Sequence, residues 1–310
     1  MQSKIDHLST VLRELEAEIG TRDVAVLVYN AFNNSLKSFK ADSFEDFVKQ
    51  FKEFYNILCN TEPKFGILIY HFGKLVCALD DKDFLKKAKG KWRSYMRKIA
   101  KEIVKDIKYH SQDLIKQSEK INVEGKTILI HDHSHTVRDV LTHFKKMGKK
   151  FKVVVAEQDF DKTHDNIEYL FSAGIPFQVV PSYMLSHVHD RIDMLFFGAL
   201  TLKDTMTFVM DPGTHGIISE FHVAKTPIHM FIDTDKFSFW KSKKREGIFI
   251  HEHTRAHHAK PIEYERIKYS HDRVPSELFT KVITDKGVFK SEELKDVYKE
   301  KMNICKNLPY

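Results

Sequence analysis

Apolar positions in the first third of the chain recur every three or four residues. Ile5, Leu8, Leu12, Leu15 and Ile19 fall on one helical face, and the pattern continues over residues 24–39 and 44–58, with Asp42-Ser43 as a start signal between them. A basic stretch, residues 82–117, carries Trp92, Met96, Ile99, Ile103, Ile107, Leu114 and Ile115 at mostly the same spacing. Such stripes predict the core of a helix bundle. The period changes near residue 122. Short apolar runs at 127–130, 151–155, 177–180, 193–197, 207–210 and 228–232 read as strands. Helical patterns at 136–147, 161–173 and 214–224, and a short one at 184–188, lie between them. This alternation predicts a parallel sheet covered on both faces and joined by right-handed crossovers. The chain therefore reads as α/β, with an N-terminal helical domain (residues 1–120) followed by a Rossmann-like, mainly parallel sheet domain (residues 121–310). Residues 241–269, charged and rich in histidine, read as a long loop or local insertion.

Composition narrows the class. With 310 residues, 42% hydrophobic and 30% charged, the chain is neither disordered, nor collagen-like, nor a disulfide scaffold. No apolar run reaches the roughly 18–20 residues of a membrane span. The polar start is unlike a signal peptide, and Cys59, Cys77 and Cys305 are too scattered for a disulfide framework. A cytoplasmic protein without membrane attachment is the expectation. Fifty basic against 43 acidic residues give a formal charge of +7. The lysines are spread out, and only Lys241-Ser-Lys-Lys-Arg245 is dense, which a solvated loop explains. No specific nucleic-acid binding is expected.

In an open parallel sheet, ligands bind beyond the carboxyl ends of the strands. That rule selects the loops at His131-Asp-His-Ser-His135, Glu157-Gln-Asp159, Gly198-Ala-Leu200, Asp211-Pro-Gly-Thr214 and Asp233-Thr-Asp235. Ser134 and Gly213-Thr214 stand at expected helix N-termini, where free backbone N–H groups bind phosphate; ordinary N-capping uses the same residue types. His131, His133 and His135 would share one side if the strand continued, but it is expected to end at His131, so no metal site is assigned. The segment after the first strand lacks the glycine-rich dinucleotide fingerprint, and no cofactor is expected.

Several stretches resemble one family in order along the chain. Thr127-Ile-Leu-Ile-His131 with Ser134, Phe151-Lys-Val-Val-Val-Ala-Glu157, Ala173-Gly-Ile-Pro176, residues 188–199, Gly213-Thr214, Ala224-Lys-Thr-Pro227 with the following strand, and residues 274–288 resemble the initiation factor 2B α/β/δ-subunit family. That family is related to the methylthioribose-1-phosphate and ribose-1,5-bisphosphate isomerases. The resemblance implies a helical domain followed by a Rossmann-like domain, pairing into dimers, and a strand-end pocket for a sugar phosphate or nucleoside monophosphate. It also implies that the isomerases place a cysteine after the first strand and an aspartate after the Gly-Ala of the fourth. Here those positions hold Asp132 and Leu200, and Met210-Asp-Pro-Gly-Thr214 lacks the family's Asn-Lys.

Arg22 resembles the arginine of an Arg-Gly-Ala turn in the isomerases, with Asp23 in place of the glycine. The expectation is a relative that does not catalyse but binds a phosphorylated ligand or a protein partner of translation initiation, as a homodimer. Arg22, His131, His133, Ser134, Glu157, Asp211, Gly213 and Thr214 are the candidate ligand-binding residues. The alternative is an aldose–ketose isomerase for a phosphorylated pentose with a reorganised site, in which Asp132 is the candidate catalytic group.

Overall fold

The computed structural model describes residues 2–62, 64–80, 91–240, 248–257, 260–269 and 271–309. Among the described residues four helices open the chain: α1 (Gln2–Ser35), α2 (Phe44–Cys59), α3 (Gly66–Asp80) and α4 (Trp92–Ser118). The helix expected over residues 24–39 ends at Ser35, and it is continuous with the first one across a kink at Gly20. Ser43 caps α2 by accepting from the Asp46 N–H. Helix α3 escapes the periodicity reading because its first eight residues are all buried, so it has no polar face to set a period. Residues 82–90 of the basic stretch lie outside the described residues. The aromatic core of this bundle stacks Phe47 on Trp92 at 4.2 Å and Tyr29 on Phe72 at 4.6 Å between ring centres.

The second part is a seven-stranded sheet built from β1 (Lys126–Ile130), β2 (Phe151–Ala156), β3 (Phe177–Val180), β4 (Met194–Gly198), β7 (Ile228–Phe231), β11 (Lys281–Thr284) and β12 (Gly287–Phe289). Its order is β12-β11-β7-β4-β1-β2-β3, parallel except for the β11–β12 hairpin. Helices α5 (His135–Lys146), α6 (Phe160–Ser172), α7 (Thr214–Val223) and α8 (Ser291–Cys305) complete the fold. The expected short helix near 184–188 is a 3-10 turn at Ser182–His187.

Alternate residues along β1 enter different cores. Leu129 packs with Leu195, Phe197, α7 and α8, whereas Ile128 and Ile130 pack with α5, α6 and Leu114 of α4. Helix α4 thus runs from the helical bundle, where Ile103 and Ile107 are buried, to the underside of the sheet.

Two expectations are corrected. Residues 207–210 do form a strand, β6 (Thr207–Met210), but it lies outside the parallel sheet. It pairs antiparallel with β5 (Thr201–Leu202) and β10 (Asp272–Pro275). An apolar run shows burial without naming its partner. Residues 241–269, expected as a long loop or a local insertion, contain an antiparallel ribbon, β8 (Ile248–His257) paired with β9 (Lys260–Tyr269), which corrects the loop alternative. The dense run Lys241-Ser-Lys-Lys-Arg245 lies outside the described residues. Among the described residues no helix is long and apolar enough to cross a membrane.

One buried carboxylate ties the parts together. Asp235, after β7, accepts from His71 Nε2 of α3 at 3.0 Å, from His110 Nδ1 of α4 at 2.9 Å and from Lys301 Nζ of α8 at 2.8 Å. Lys301 also sits 3.4 Å from the centre of the Tyr70 ring. Burial alone would raise the Asp235 carboxyl, but the hydrogen bonds from His110 and His71 and the Lys301 charge hold it well below the usual range. The hydrogen bond to Asp235 raises His110, whereas burial lowers His71. Asp235 and His71 contribute stability that is lost as pH falls through their folded values. His110 contributes stability that is present below its unfolded value, about 6.5, and is lost as pH rises through its folded value. Asp235→Asn leaves the Lys301 ammonium buried without its counter-charge. The expected loss is about 3–5 kcal/mol, or roughly 5–15 °C in Tm by calorimetry at pH 7. A change of under a degree would show that the cluster does not hold the helical and sheet parts together.

Candidate functional site

The kink in α1 brings the helical part to the carboxyl end of the sheet. Gly20 has φ +74°, and a Cβ there would come within 2.8 Å of the His135 ring. Glycine therefore meets two demands, the left-handed backbone and the close approach. Glu16, Thr21 and Arg22, on either side of the kink, face the loops after β1, β4 and β7 across a pocket. The opposite wall holds Asp132, His133, Ser134 and His135 from the β1 loop, Gly198 at the end of β4 with Ala199 and Leu200 beyond it, Met210 at the end of β6 with Asp211 beyond it, and Lys236 after β7. Its volume, about 60 Å³, is small.

The β1 loop is pinned from two sides. Ser134 accepts from Val137 N at 3.3 Å and so starts α5. A Cβ on Gly198 would meet Ser134 Oγ at 2.0 Å, so β4 closes against this loop only with glycine there. The Gly198 N–H donates to Asp132 Oδ2 at 2.7 Å. Asp132 Oδ1 is buried and has no hydrogen-bond partner among the described residues. Burial, and then the charge of Asp211, pushes this carboxyl up to about 8, so Asp132 carries a proton at neutral pH.

Asp211 is held below its usual range, against its burial, chiefly by Lys162 at 2.9 Å. It also accepts from the His133 N–H at 3.4 Å. The His133 ring lies 2.9 Å from Asp165 Oδ2. His135 is lowered to about 4 by burial and by Arg138, and its Nε2 has no protein partner.

The pocket's own cations are Arg22 and Lys236. Arg22 donates to Asp139 Oδ2 at 2.6 Å and to Ser111 Oγ at 2.7 Å, and Asp139 and Asp23 raise its pKa despite burial. Lys236 is 6% exposed and reaches Ala199 O at 3.4 Å. Burial lowers it, with Asp233 acting in the opposite sense. Asp233 is itself raised by burial, and its Oδ1 has no protein partner. Two cations, the positive end of α5 and several unpaired buried polar atoms suit an anionic, hydroxyl-bearing ligand.

Of the residues singled out in the sequence, Arg22, Asp132, His133, Ser134 and Asp211 line this one pocket. His131, Gly213 and Thr214 form the layer behind it. His131 Nδ1 donates to Ala156 O at 3.3 Å, and its Nε2 faces Gly213, whose φ is +91°. Thr214 is fully buried, with Oγ1 free of protein partners. Glu157 is not brought to the pocket. It is exposed, and it borders a separate groove with Gln158 and Asp159.

Because β1 ends at Ile130, the three histidines do not share one side: His133 and His135 meet edge to face, 5.1 Å between ring centres, while His131 lies behind the pocket at Gly213. Among the described residues no three His, Cys, Asp or Glu side chains stand where they could hold a metal ion. Sequence reasoning missed Glu16, Thr21 and Lys236 as pocket residues, and it selected the loop of His135 without naming that side chain as a candidate. Lys236 follows Asp233-Thr-Asp235 directly, so the strand-end rule reached its loop and stopped one residue short.

Residues 17–291 match the family model described as the initiation factor 2 subunit family. The chain is 28% identical over 122 residues to translation initiation factor eIF2B subunit alpha of Dictyostelium discoideum, covering 39% of this chain and 38% of that protein. It is 31% identical over 123 residues to the delta subunit of Schizosaccharomyces pombe, covering 39% of this chain and 26% of that one. A putative eIF-2B subunit 2-like protein of Pyrococcus horikoshii is 24% identical over 147 residues, 47% of this chain and 53% of the relative. The chain thus spans from about a quarter to about half the length of these relatives. The solved Pyrococcus horikoshii OT3 translation initiation factor eIF-2B superposes with a TM-score of 0.72 at 18% identity, over 91% of this chain and 96% of that one. A chain of the tetrameric eIF2B-beta2-delta2 complex of C. thermophilum gives 0.69 at 16% identity, over 97% and 95%. At such identities the structures speak for the fold, and it is the match over residues 17–291 that places this chain in the initiation factor 2 subunit family.

Proposed function

We propose that this chain is a non-catalytic, initiation factor 2B-like protein of the cytoplasm whose strand-end pocket binds a phosphorylated small molecule, a sugar phosphate or a nucleoside monophosphate. The observation that carries this reading is Leu200. It lines the pocket at the position where the isomerases are expected to place an aspartate, so a hydrocarbon side chain stands at that point and the other carboxylates of the pocket, Glu16 and Asp211, come from different positions. Arg22, Lys236 and the first turn of α5 supply positive charge for a phosphate. Asp132, protonated, supplies a donor for a ligand oxygen. The pocket's small volume means that a pentose phosphate enters by widening the cleft between α1 and the β1 loop.

A homodimer is part of the proposal. The C. thermophilum relative is a beta2-delta2 tetramer, which supports assembly within the family. Phe160, Phe171 and Tyr183 are 83%, 78% and 84% exposed on α6 and the turn after β3, which supports a contact surface on this chain. The aldose–ketose isomerase remains the second reading. It is favoured by Asp132 itself, whose carboxyl titrates near the pH at which a general acid or base works.

Thermal shift with ribose 5-phosphate, ribose 1,5-bisphosphate, AMP and GMP tests the pocket. At least one is expected to raise Tm, and Arg22→Ala and Lys236→Met to remove that shift. Silence from all four sinks the binding reading. Turnover of a phosphorylated pentose, lost in Asp132→Ala, would replace it with the isomerase.

Asp132 also makes a prediction about stability. Its folded value lies above its unfolded one, so the folded state holds the extra proton between about pH 4 and pH 8. Its contribution to stability therefore falls as pH rises through that window. Asp132→Asn is expected to melt higher than the parent, by a margin that widens from pH 5.5 to pH 8.5. A constant or negative margin would mean that the carboxyl is ionised in the fold.

A further inference from the structure

The amino end of the sheet, opposite the pocket just described, carries an open depression of about 550 Å³. It lies between the starts of β1 and β2, the end of α5 and the turn before β3. Its floor is Gly125, Gly148, Phe151, Ile175 and Pro176. Lys126, Lys145, Lys149, Lys150 and Lys152 stand around it. Lys126 is paired with Asp193 at 2.9 Å. The ammonium groups of the other four have no ion-pair partner among the described residues, and Lys145, Lys150 and Lys152 are exposed.

The acids nearby are already engaged. Asp193 accepts from Thr127 N and Lys126, and Glu124 accepts from the Lys150 N–H. Like charges gathered around a concave surface repel one another and raise the local potential, so they cost stability unless something anionic is drawn in.

Helix capping is the ordinary use of lysines at such a place, because a helix C-terminus carries free carbonyls. Here that use is largely taken. The N–H groups of Met147, Gly148 and Lys149 already bond to the carbonyls of His143, Lys145 and Phe144. Gly148, at φ +76°, makes that closure possible. The four lysine heads are thus left to solvent by a turn that does not need them.

We propose that this depression is a docking site for the phosphate backbone of single-stranded RNA, read without regard to base sequence. Phosphate is the anion whose charge density matches four unpaired ammonium groups around one hollow. The lysines come from separate segments around an open rim, with no buried polar side chain in the lining to orient a compact ligand, which suits a strand lying across the hollow. A single strand can follow the hollow, whereas a duplex meets the rim as a stiff rod. The one aromatic ring in the lining, Phe151, is 6% exposed and offers no face for a base to stack on.

The test is fluorescence anisotropy with a labelled 20-mer of oligo(U) and the full chain. Binding is expected, with log K falling against log salt at a slope of roughly −3, as four phosphate contacts on a single strand require. Oligo(A) is expected to bind within about threefold of oligo(U). The variant Lys145→Glu/Lys149→Glu/Lys150→Glu/Lys152→Glu is expected to lose at least tenfold in affinity. The corresponding glutamine variant, which removes charge without reversing it, guards against misfolding, with Tm as the control, and is expected to lose affinity too. Lys281→Glu/Lys295→Glu, outside the depression, is expected to change little. A slope near zero, undiminished binding by the glutamine variant, or capture of poly-glutamate but not oligo(U) would each overturn the proposal. The last result would assign the surface to an acidic protein.

Discussion

The arrangement of this chain depends on a single buried negative charge. Asp235 has no solvent to stabilise it, so its ionised form exists only because three donors reach it from three helices that are distant in sequence. Each of those donors is in turn costly to bury alone. Asp235, His71 and Lys301 are buried and so depend on one another, while His110 reaches the carboxylate from a partly exposed position. Apolar packing between the helical bundle and the sheet can slide, because it is not directional. A carboxylate with three donors at fixed angles cannot, and this sets the orientation in which α3, α4 and α8 meet the loop after β7.

The candidate pocket inherits that orientation. Lys236 stands next to Asp235 in sequence, so fixing the carboxylate also fixes where the lysine's chain begins. On the other wall, Gly20 and Gly198 allow approaches that any side chain would prevent. The pocket is the space left between a bent helix and a loop closed against a glycine. Its electrostatics follow from this tightness. Water is excluded from Asp132, whose proton then stays on, while Asp211, one step further out, keeps its charge through Lys162.

Much of this was legible beforehand, and the rest was hidden for definite reasons. Strands β1, β2, β3, β4 and β7 announce themselves as short apolar runs between helical patterns. Helices α5, α6 and α7 are amphipathic enough to be placed within a residue or so. The order of strands has no local signature, and neither does the departure of β6 into a second sheet. Helix α3 is hidden by its own burial, and the β8–β9 ribbon by a composition that resembles a loop. In the site, position relative to strand ends was the informative signal, and it led to Asp132, His133, Ser134 and Asp211. It gave no access to Glu16 or Thr21, which arrive from a helix more than a hundred residues earlier. Glu157 shows the converse. It follows a strand as the rule requires, but β2 lies two strands from the central β4, and its side chain remains in solvent.

The kink at Gly20 has a thermodynamic consequence. Because one wall of the pocket belongs to α1 and the other to the sheet loops, any molecule bound between them carries a linkage relation with the seating of α1. A ligand that grips both walls makes detachment of the N-terminal helix less favourable by its own binding free energy. By reciprocity, a partner that draws α1 away weakens the ligand by the same factor. Were a ligand to bind there, its occupancy and the seating of this 34-residue helix would be two sides of one equilibrium.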